Sequence, residues 1–267
     1  MRPHKLLAVG LVSALVVVLT GCNGSAMRSQ AKPASWVKFS PSARTHWQIQ
    51  LSGAFDASIA ANIYDLDPYT TDQETITDLN AQGRQAICHL DVGVSDNALP
   101  DSGRLAADTL GAKDGDGGRW LDIRRWSEIS PVLSDRFELC RAKGFQAIDA
   151  DEAYGYARVT GFDLTSADQL TFDRKVAALG HSFGLAVGVR TTPEMAIKVE
   201  PFSDFAVVAD CFDSPRCGNY FAFVQANKAV FDVETRATTA FCPRARYFGF
   251  AAISKPDDVL GTRVKDC

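Results

Sequence analysis

Eight short apolar runs recur between residues 47 and 253, most of them followed by a turn or an amphipathic stretch. No other feature narrows the fold of this chain as far. The runs are Trp47–Leu51, Asn62–Asp67, Gln85–Leu90, Phe145–Asp149, Leu185–Val189, Phe205–Ala209, Ala229–Val233 and Tyr247–Ile253. Between them, helices fit residues 72–82, 127–142 and 166–183. The last is the clearest: Leu170, Phe172, Val176 and Leu179 recur at helical spacing, Ser166 can cap it and Gly184 ends it. Apolar strands interleaved with helices predict a parallel sheet. Eight of them in one chain of 267 residues predict an α/β fold of the closed (β/α)8 type, a TIM barrel, which needs roughly 250 residues. No G-x-G-x-x-G follows the first run, so the usual sign of a dinucleotide cofactor is absent. No cofactor is expected.

The N-terminus reads as an address. Arg2 and Lys5 precede the uncharged run Leu6–Leu19, which is too short for a spanning helix of roughly 20 residues and suits a signal peptide. Leu19-Thr20-Gly21-Cys22 resembles the lipobox of bacterial lipoproteins, in which the Cys is lipid-modified and becomes the new N-terminus. The expected organisation is a signal peptide over 1–21, a small, polar tether over 22–34 and a single barrel domain over 35–267. The expected location is outside the cytoplasmic membrane, held to the bacterial envelope through Cys22.

Charge and cysteine content agree with export. The chain has 28 basic and 32 acidic residues. Loss of Arg2 and Lys5 leaves 26 against 32, a net charge of −6. A nucleic-acid partner, which calls for a basic face, is not expected. Apart from Cys22, six Cys remain, an even set that in an exported chain implies disulfides. Cys211 and Cys217 are the expected pair, with Cys242 and Cys267 a plausible second. There is no C-x-x-C and the four His are scattered, so no metal site is expected.

Barrel enzymes carry their chemistry at the C-terminal ends of the strands. Those ends hold Gln50, Asp65, Asp67, Asp91, Asp149, Asp151, Glu152, Arg190, Asp210, Asp232 and Glu234. Turn residues account for part of this, but the set points to a carboxylate-lined cleft. Paired carboxyl groups without a metal suit glycoside hydrolysis, where one carboxyl is a protonated acid and the other an ionised base or nucleophile. Trp47, Tyr64, Tyr69, Trp120, Tyr154 and Tyr156 are candidate stacking surfaces for sugars, and equally candidate packing residues.

These segments also resemble a known family. Trp47-Gln48-Ile49-Gln50-Leu51-Ser52-Gly53 resembles the first strand of glycoside hydrolase family 114, the endo-α-1,4-polygalactosaminidase family. Tyr64-Asp65-Leu66-Asp67 is similar to its Y-D-x-D, and Gly118–Arg124 (GRWLDIR) to its R-W-L-D-I-R segment. Asp149–Tyr156 (DADEAYGY), His181–Arg190 (HSFGLAVGVR), Asp204–Cys217 and Val233-Glu234 resemble later motifs in family order. The resemblance implies the barrel fold and an amino-sugar polysaccharide substrate. It places one family carboxylate on Asp151 and puts Ala209 where the family has its second, a Glu. The remaining motif positions are also altered: Glu152 and Tyr154 stand in place of Asn and Asp, and Arg190-Thr191 in place of Lys-Asn.

Three readings stay open on this basis. The first is a working hydrolase with a relocated second carboxylate: Asp151 with Glu234 or Asp210 as catalytic groups, Glu152 and Asp91 as further candidates, and Gln50, Asp67, Asp91, Asp149, Glu152, Tyr156 and Arg190 binding substrate. The second is a non-catalytic carbohydrate-binding lipoprotein on the same barrel. The third is a barrel that binds a small molecule or a partner and has no sugar role.

Overall fold

In the computed structural model, β1 (Trp47–Gln50), β2 (Ile63–Leu66), β3 (Gln85–Asp91), β4 (Ala147–Asp151) and β5 (Ala186–Val189) hydrogen-bond in that order as parallel neighbours. β6 (Ala206–Ala209), β7 (Val230–Glu234) and β8 (Ala251–Ser254) continue the series, again parallel. A single parallel bridge from Gly188 to Phe205 joins β5 to the start of β6. The structure describes residues 39, 41, 45–115, 117–256 and 260–267. The segments expected to be signal peptide and tether, with Cys22, lie outside the described residues.

Eight parallel strands in chain order, with helices on the connections from β2 to β8, make the (β/α)8 architecture read from the sequence. Between β8 and β1 the contacts are side-chain and loop bonds. Leu51 N–H donates to Leu260 O at 3.0 Å. Buried Lys255 donates through Nζ to Gln48 Oε1 at 3.0 Å and to Gly261 O at 2.5 Å.

Period-2 alternation sorts the strand residues into two cores. Trp47, Ile49, Ile63, Ile87, Phe205, Val207, Phe231, Val233 and Ile253 form one cluster, the barrel interior. The alternate residues, such as Tyr64, Cys88, Ile148, Val187 and Val208, pack against the helices. These are α1 (Gln73–Ala81), α2 (Trp126–Lys143), α3 (Ser166–Ser182), α4 (Ala196–Val199), α5 (Phe221–Gln225) and α6 (Cys242–Phe248). Asp72 caps α1 by accepting from Thr75 N–H at 2.7 Å, and Thr165 and Asp168 form a capping box on α3.

Two boundaries differ from the sequence reading. The fourth strand is Ala147–Asp151 rather than 145–149, two residues nearer the acids. In the eighth run, Tyr247 and Phe248 close α6, and the strand begins only at Ala251. The reason is Gly249, which takes the left-handed conformation at φ 75° and ends the helix inside an apolar stretch that reads as one strand.

Among the described residues, three disulfides are present: Cys211–Cys217 and Cys242–Cys267, as expected, and Cys88–Cys140, which ties β3 to α2. Among the described residues, no helix is long and apolar enough to cross a membrane.

Candidate active site

The lumen-facing parity that carries Ile63, Ile87 and Ala147 low in the barrel carries acids above them. Asp65 follows Ile63 on β2, His89 and Asp91 follow Ile87 on β3, and Asp149 and Asp151 follow Ala147 on β4. The register sets His89 opposite Asp149 and Asp91 opposite Asp151. Arg190, the residue after β5, closes the group. Its Nε donates to Asp149 Oδ2 at 2.9 Å, its Nη2 to the same oxygen at 2.5 Å, and its Nη1 lies 2.8 Å from Asp151 Oδ2. Below Arg190 on the same face, Gly188 makes room for the ring of Phe205, from which a Cβ there would stand 2.3 Å.

Charge in this layer is divided unevenly. Burial, the largest influence on Asp149, opposes its ionisation, but Arg190 and His89 outweigh it and hold the carboxyl well below the usual range. Asp65 is pushed well above that range by burial and by the charge of Asp149. It is the neutral carboxyl of the pair. Burial also works against the charge on His89, yet its bond to Asp149 prevails and raises it to about 9. A protonated His89 donates Nδ1–H to Asp149 Oδ2 at 3.2 Å and turns Nε2 toward Asp151 Oδ2, 3.6 Å away, and Asp91 Oδ1, 3.9 Å away.

A cleft of about 490 Å³ opens beside this layer, lined by Asp151, Tyr154, Arg158, Arg190, Thr191, Thr192, Ala209, Asp210 and Tyr220 among others. Tyr154 meets Trp120 edge-on, and the Arg158 guanidinium lies 4.9 Å from the centre of its ring. Tyr156 Oη and Thr192 Oγ1 share a hydrogen bond of 2.6 Å. Two further carboxyls flank Asp151. Burial raises Asp91 to about 6, with His89 opposing and Asp151 assisting. Burial and then the charge of Asp151 raise Glu152 to about 7.

Asp91, Asp149, Asp151 and Arg190 therefore share one charged layer, with Glu152 and Tyr156 on the loop that leaves it. Four residues given a site role from the sequence stand elsewhere. Glu234 alternates with Phe231 and Val233 of the barrel interior, so it points outward. Its Oε1 accepts from Phe212 N–H at 2.8 Å and its Oε2 from Arg236 at 3.0 Å. Asp232 shares that outward face, fully buried. Asp210 borders the cleft, but it sits beyond the strand in a left-handed conformation at φ 46°, and its carboxylate takes Thr235 N–H at 2.8 Å and Thr235 Oγ1–H at 2.9 Å. Asp67 is a turn residue, accepting from Tyr69 N–H at 2.6 Å. Gln50 points out of the lumen and organises its own loop, donating to Ala54 O at 2.7 Å. Trp47 and Tyr64 are buried and cannot meet a sugar face.

His89 was missed from the sequence, where it counted only as one of four scattered His. The signal was its parity: Ile87, His89 and Asp91 lie on one strand face, and that face meets Asp149 and Asp151. Asp65-His89-Asp149 and His89-Asp91-Asp151 each offer three ligand-type atoms within 4.8 Å of one another. Arg190 and protonated His89 supply the positive charge that these carboxylates face.

Parallel strands, a charged rim and an adjoining cleft are the layout of a barrel enzyme. Residues 26–267 match the model of glycoside-hydrolase family GH114, and the chain belongs to that family. Its structure is similar to that of Ega3 from Aspergillus fumigatus, solved in complex with galactosamine. The two are 28% identical, with a TM-score of 0.79 over 88% of this chain and 100% of the other. The glycoside hydrolase domain of PelA from Pseudomonas aeruginosa shares the fold at 13% identity, with a TM-score of 0.62 over 82% of this chain and 97% of that domain. No curated protein sequence matches significantly.

Proposed function

We propose that this protein is a glycoside hydrolase acting on a cationic amino-sugar polymer, with Asp151 as the carboxylate that meets the reacting carbon. The observation that carries the reading is the position of Asp151, which lines the cleft while Arg190 and His89 hold it from within the barrel. The carboxylates of Asp151 and, beside it, Asp91 give the mouth a negative field that favours an ammonium-bearing sugar. The galactosamine held by Ega3 is such a sugar. The site is set outside the cytoplasmic membrane, the domain being tethered through lipid on Cys22.

One observation favours a second reading, binding without turnover. Ala209, at the lumen-facing end of β6, stands exposed in the cleft at the position where the family resemblance calls for a Glu. Incubating the purified protein with partly deacetylated α-1,4-galactosamine polymer and measuring new reducing ends separates the two. Hydrolysis that Asp151→Asn abolishes supports the hydrolase, because an amide neither attacks carbon nor holds a proton. Salt-sensitive binding with no new ends supports the binding protein. In that case Ala209→Glu is expected to introduce turnover.

A further inference from the structure

We infer that Glu152 is the proton donor of this site, delivering its carboxyl proton to the glycosidic oxygen while Asp151 bonds to the anomeric carbon. The inference rests on the hydrolase reading above and assigns the acid that Ala209 cannot supply.

The backbone first brings Glu152 to the rim. Had β4 continued, a residue after Asp151 would point out of the lumen. Instead Glu152 turns at φ 57°, in the left-handed region, where a residue with a side chain is strained. Two contacts hold the turn. Glu152 N–H donates to the carboxylate of Asp151 at 2.6 Å. Its carbonyl lies directly over Gly93, so close that a Cβ on Gly93 would be 2.0 Å from the Glu152 oxygen. A strained residue clamped from a neighbouring strand end is a fixed element, and it adjoins the central carboxylate of the site.

The side chain is fixed as well. Tyr154, which lines the cleft, donates its phenol to Glu152 Oε1 at 2.9 Å. That leaves Oε2 for a proton. The groups that face the carboxyl are Asp151 and Asp91, both negative when ionised, Arg158, positive, and the neutral phenol of Tyr154. Burial and the Asp151 charge raise the carboxyl to about 7. It thus holds a proton for a good part of the time at neutral pH, the state an acid needs. Asp91 is the rival. It stands 3.9 Å from protonated His89, whose charge favours its ionised form, and it gives up its proton first. Asp210 and Glu234 are tied to Thr235 and to Phe212 and Arg236.

The step balances within the two residues. The leaving oxygen keeps the electron pair of the broken C–O bond and takes the proton of Glu152. An oxygen of Asp151 bonds to the anomeric carbon. Water then adds to that carbon, its proton returns to Glu152, and Asp151 leaves as the carboxylate stabilised by Arg190.

The test compares two substrates: α-1,4-galactosamine polymer, whose leaving group needs a proton, and a dinitrophenyl glycoside of a short galactosamine oligomer, whose leaving group does not. Glu152→Gln keeps an acceptor for Tyr154, so its fold can be matched to wild type by circular dichroism. We expect E152Q to lower kcat/KM on the polymer by about 10²–10⁴-fold, to stay within about tenfold of wild type on the aryl substrate, and to lose the alkaline fall in rate near neutral pH. Asp91→Asn should lower both substrates alike. An E152Q variant with full activity on the polymer, or with equal losses on both substrates, overturns the assignment of the proton donor and leaves the hydrolase standing. A wild type that turns over neither substrate overturns both.

Discussion

Arg190 reaches Asp149 with two nitrogens, Nε at 2.9 Å and Nη2 at 2.5 Å from the same carboxylate oxygen, inside a barrel where Asp149 is fully buried. Its third nitrogen holds Asp151. Removing one partner of a buried ion pair leaves the other charged and unsolvated, a loss of about 3–5 kcal/mol. Arg190→Met is therefore expected to lower unfolding stability by that order in urea titrations. Arg190→Lys should recover only part of it, because an ammonium cannot make the planar two-nitrogen contact.

The pH dependence of stability has a definite sign. The folded pKa of His89, about 9, lies above its ordinary 6.5. Its contribution is therefore complete below pH 6.5 and is lost as pH rises through 9. Glu152 and Asp91, raised to about 7 and about 6, act in the same direction at lower pH. Asp149 is held low, so its contribution is present above the ordinary carboxylate range, about pH 4, and is lost on acidification below it. Melting temperatures should fall between pH 6.5 and 9, and His89→Gln should make that slope shallower. An unchanged slope in the variant would mean that His89 is neutral in the folded protein.

Gly93 is required by Glu152. A methyl group at residue 93 would meet the Glu152 carbonyl at 2.0 Å, and backbone cannot yield as a side chain does. Gly93→Ala should cost about 1–3 kcal/mol through overpacking and reduce polymer turnover by displacing Glu152. Gly103→Ala, where a Cβ meets nothing within 4 Å, is the control and should leave both unchanged.

The three disulfides should differ in weight. Cys88–Cys140 closes a separation of 52 residues, whereas Cys211–Cys217 closes 6. In the chain-entropy account, stabilisation grows with the logarithm of loop length, giving about 4 kcal/mol for the first and about 2 kcal/mol for the second. Denaturant midpoints of C88A/C140A and C211A/C217A, each compared with wild type, check the order. Equal losses would show that native-state packing outweighs loop length.

The strand pattern was legible because apolar period-2 runs ended by Gly, Pro or Asp carry both the strand and its stop. Tyr247–Phe250 was not, since an apolar run reads alike in a short helix and in a strand until Gly249 is known to turn left-handed. The site was legible only in part. Reading charged and amide residues at strand ends picks out Asp149, Asp151 and Arg190 of the buried layer, and with them Glu234, Asp210, Asp67 and Gln50, whose side chains bond elsewhere. A strand end says which rim a residue occupies, whereas parity says which face. Applied to β7, parity separates Glu234 from the lumen, and applied to β3 it adds His89. The left-handed turn at Glu152 breaks that parity, and no local sequence signal announces it.

The two halves of the barrel interior are built differently. β6, β7, β8 and β1 fill it with aromatic and aliphatic groups, while the upper parts of β2, β3 and β4, with Arg190 after β5, fill it with interlocked charge. The apolar half tolerates drift one residue at a time, because a change of shape is felt only by its neighbours. In the charged half, the protonation of Asp65, His89 and Asp149 depends on one another and on the fixed charge of Arg190, so the effects of changing two of the four will not add. Substitutions there will behave as sets, and pairwise libraries over those positions should show stronger non-additivity than matched pairs in the apolar half.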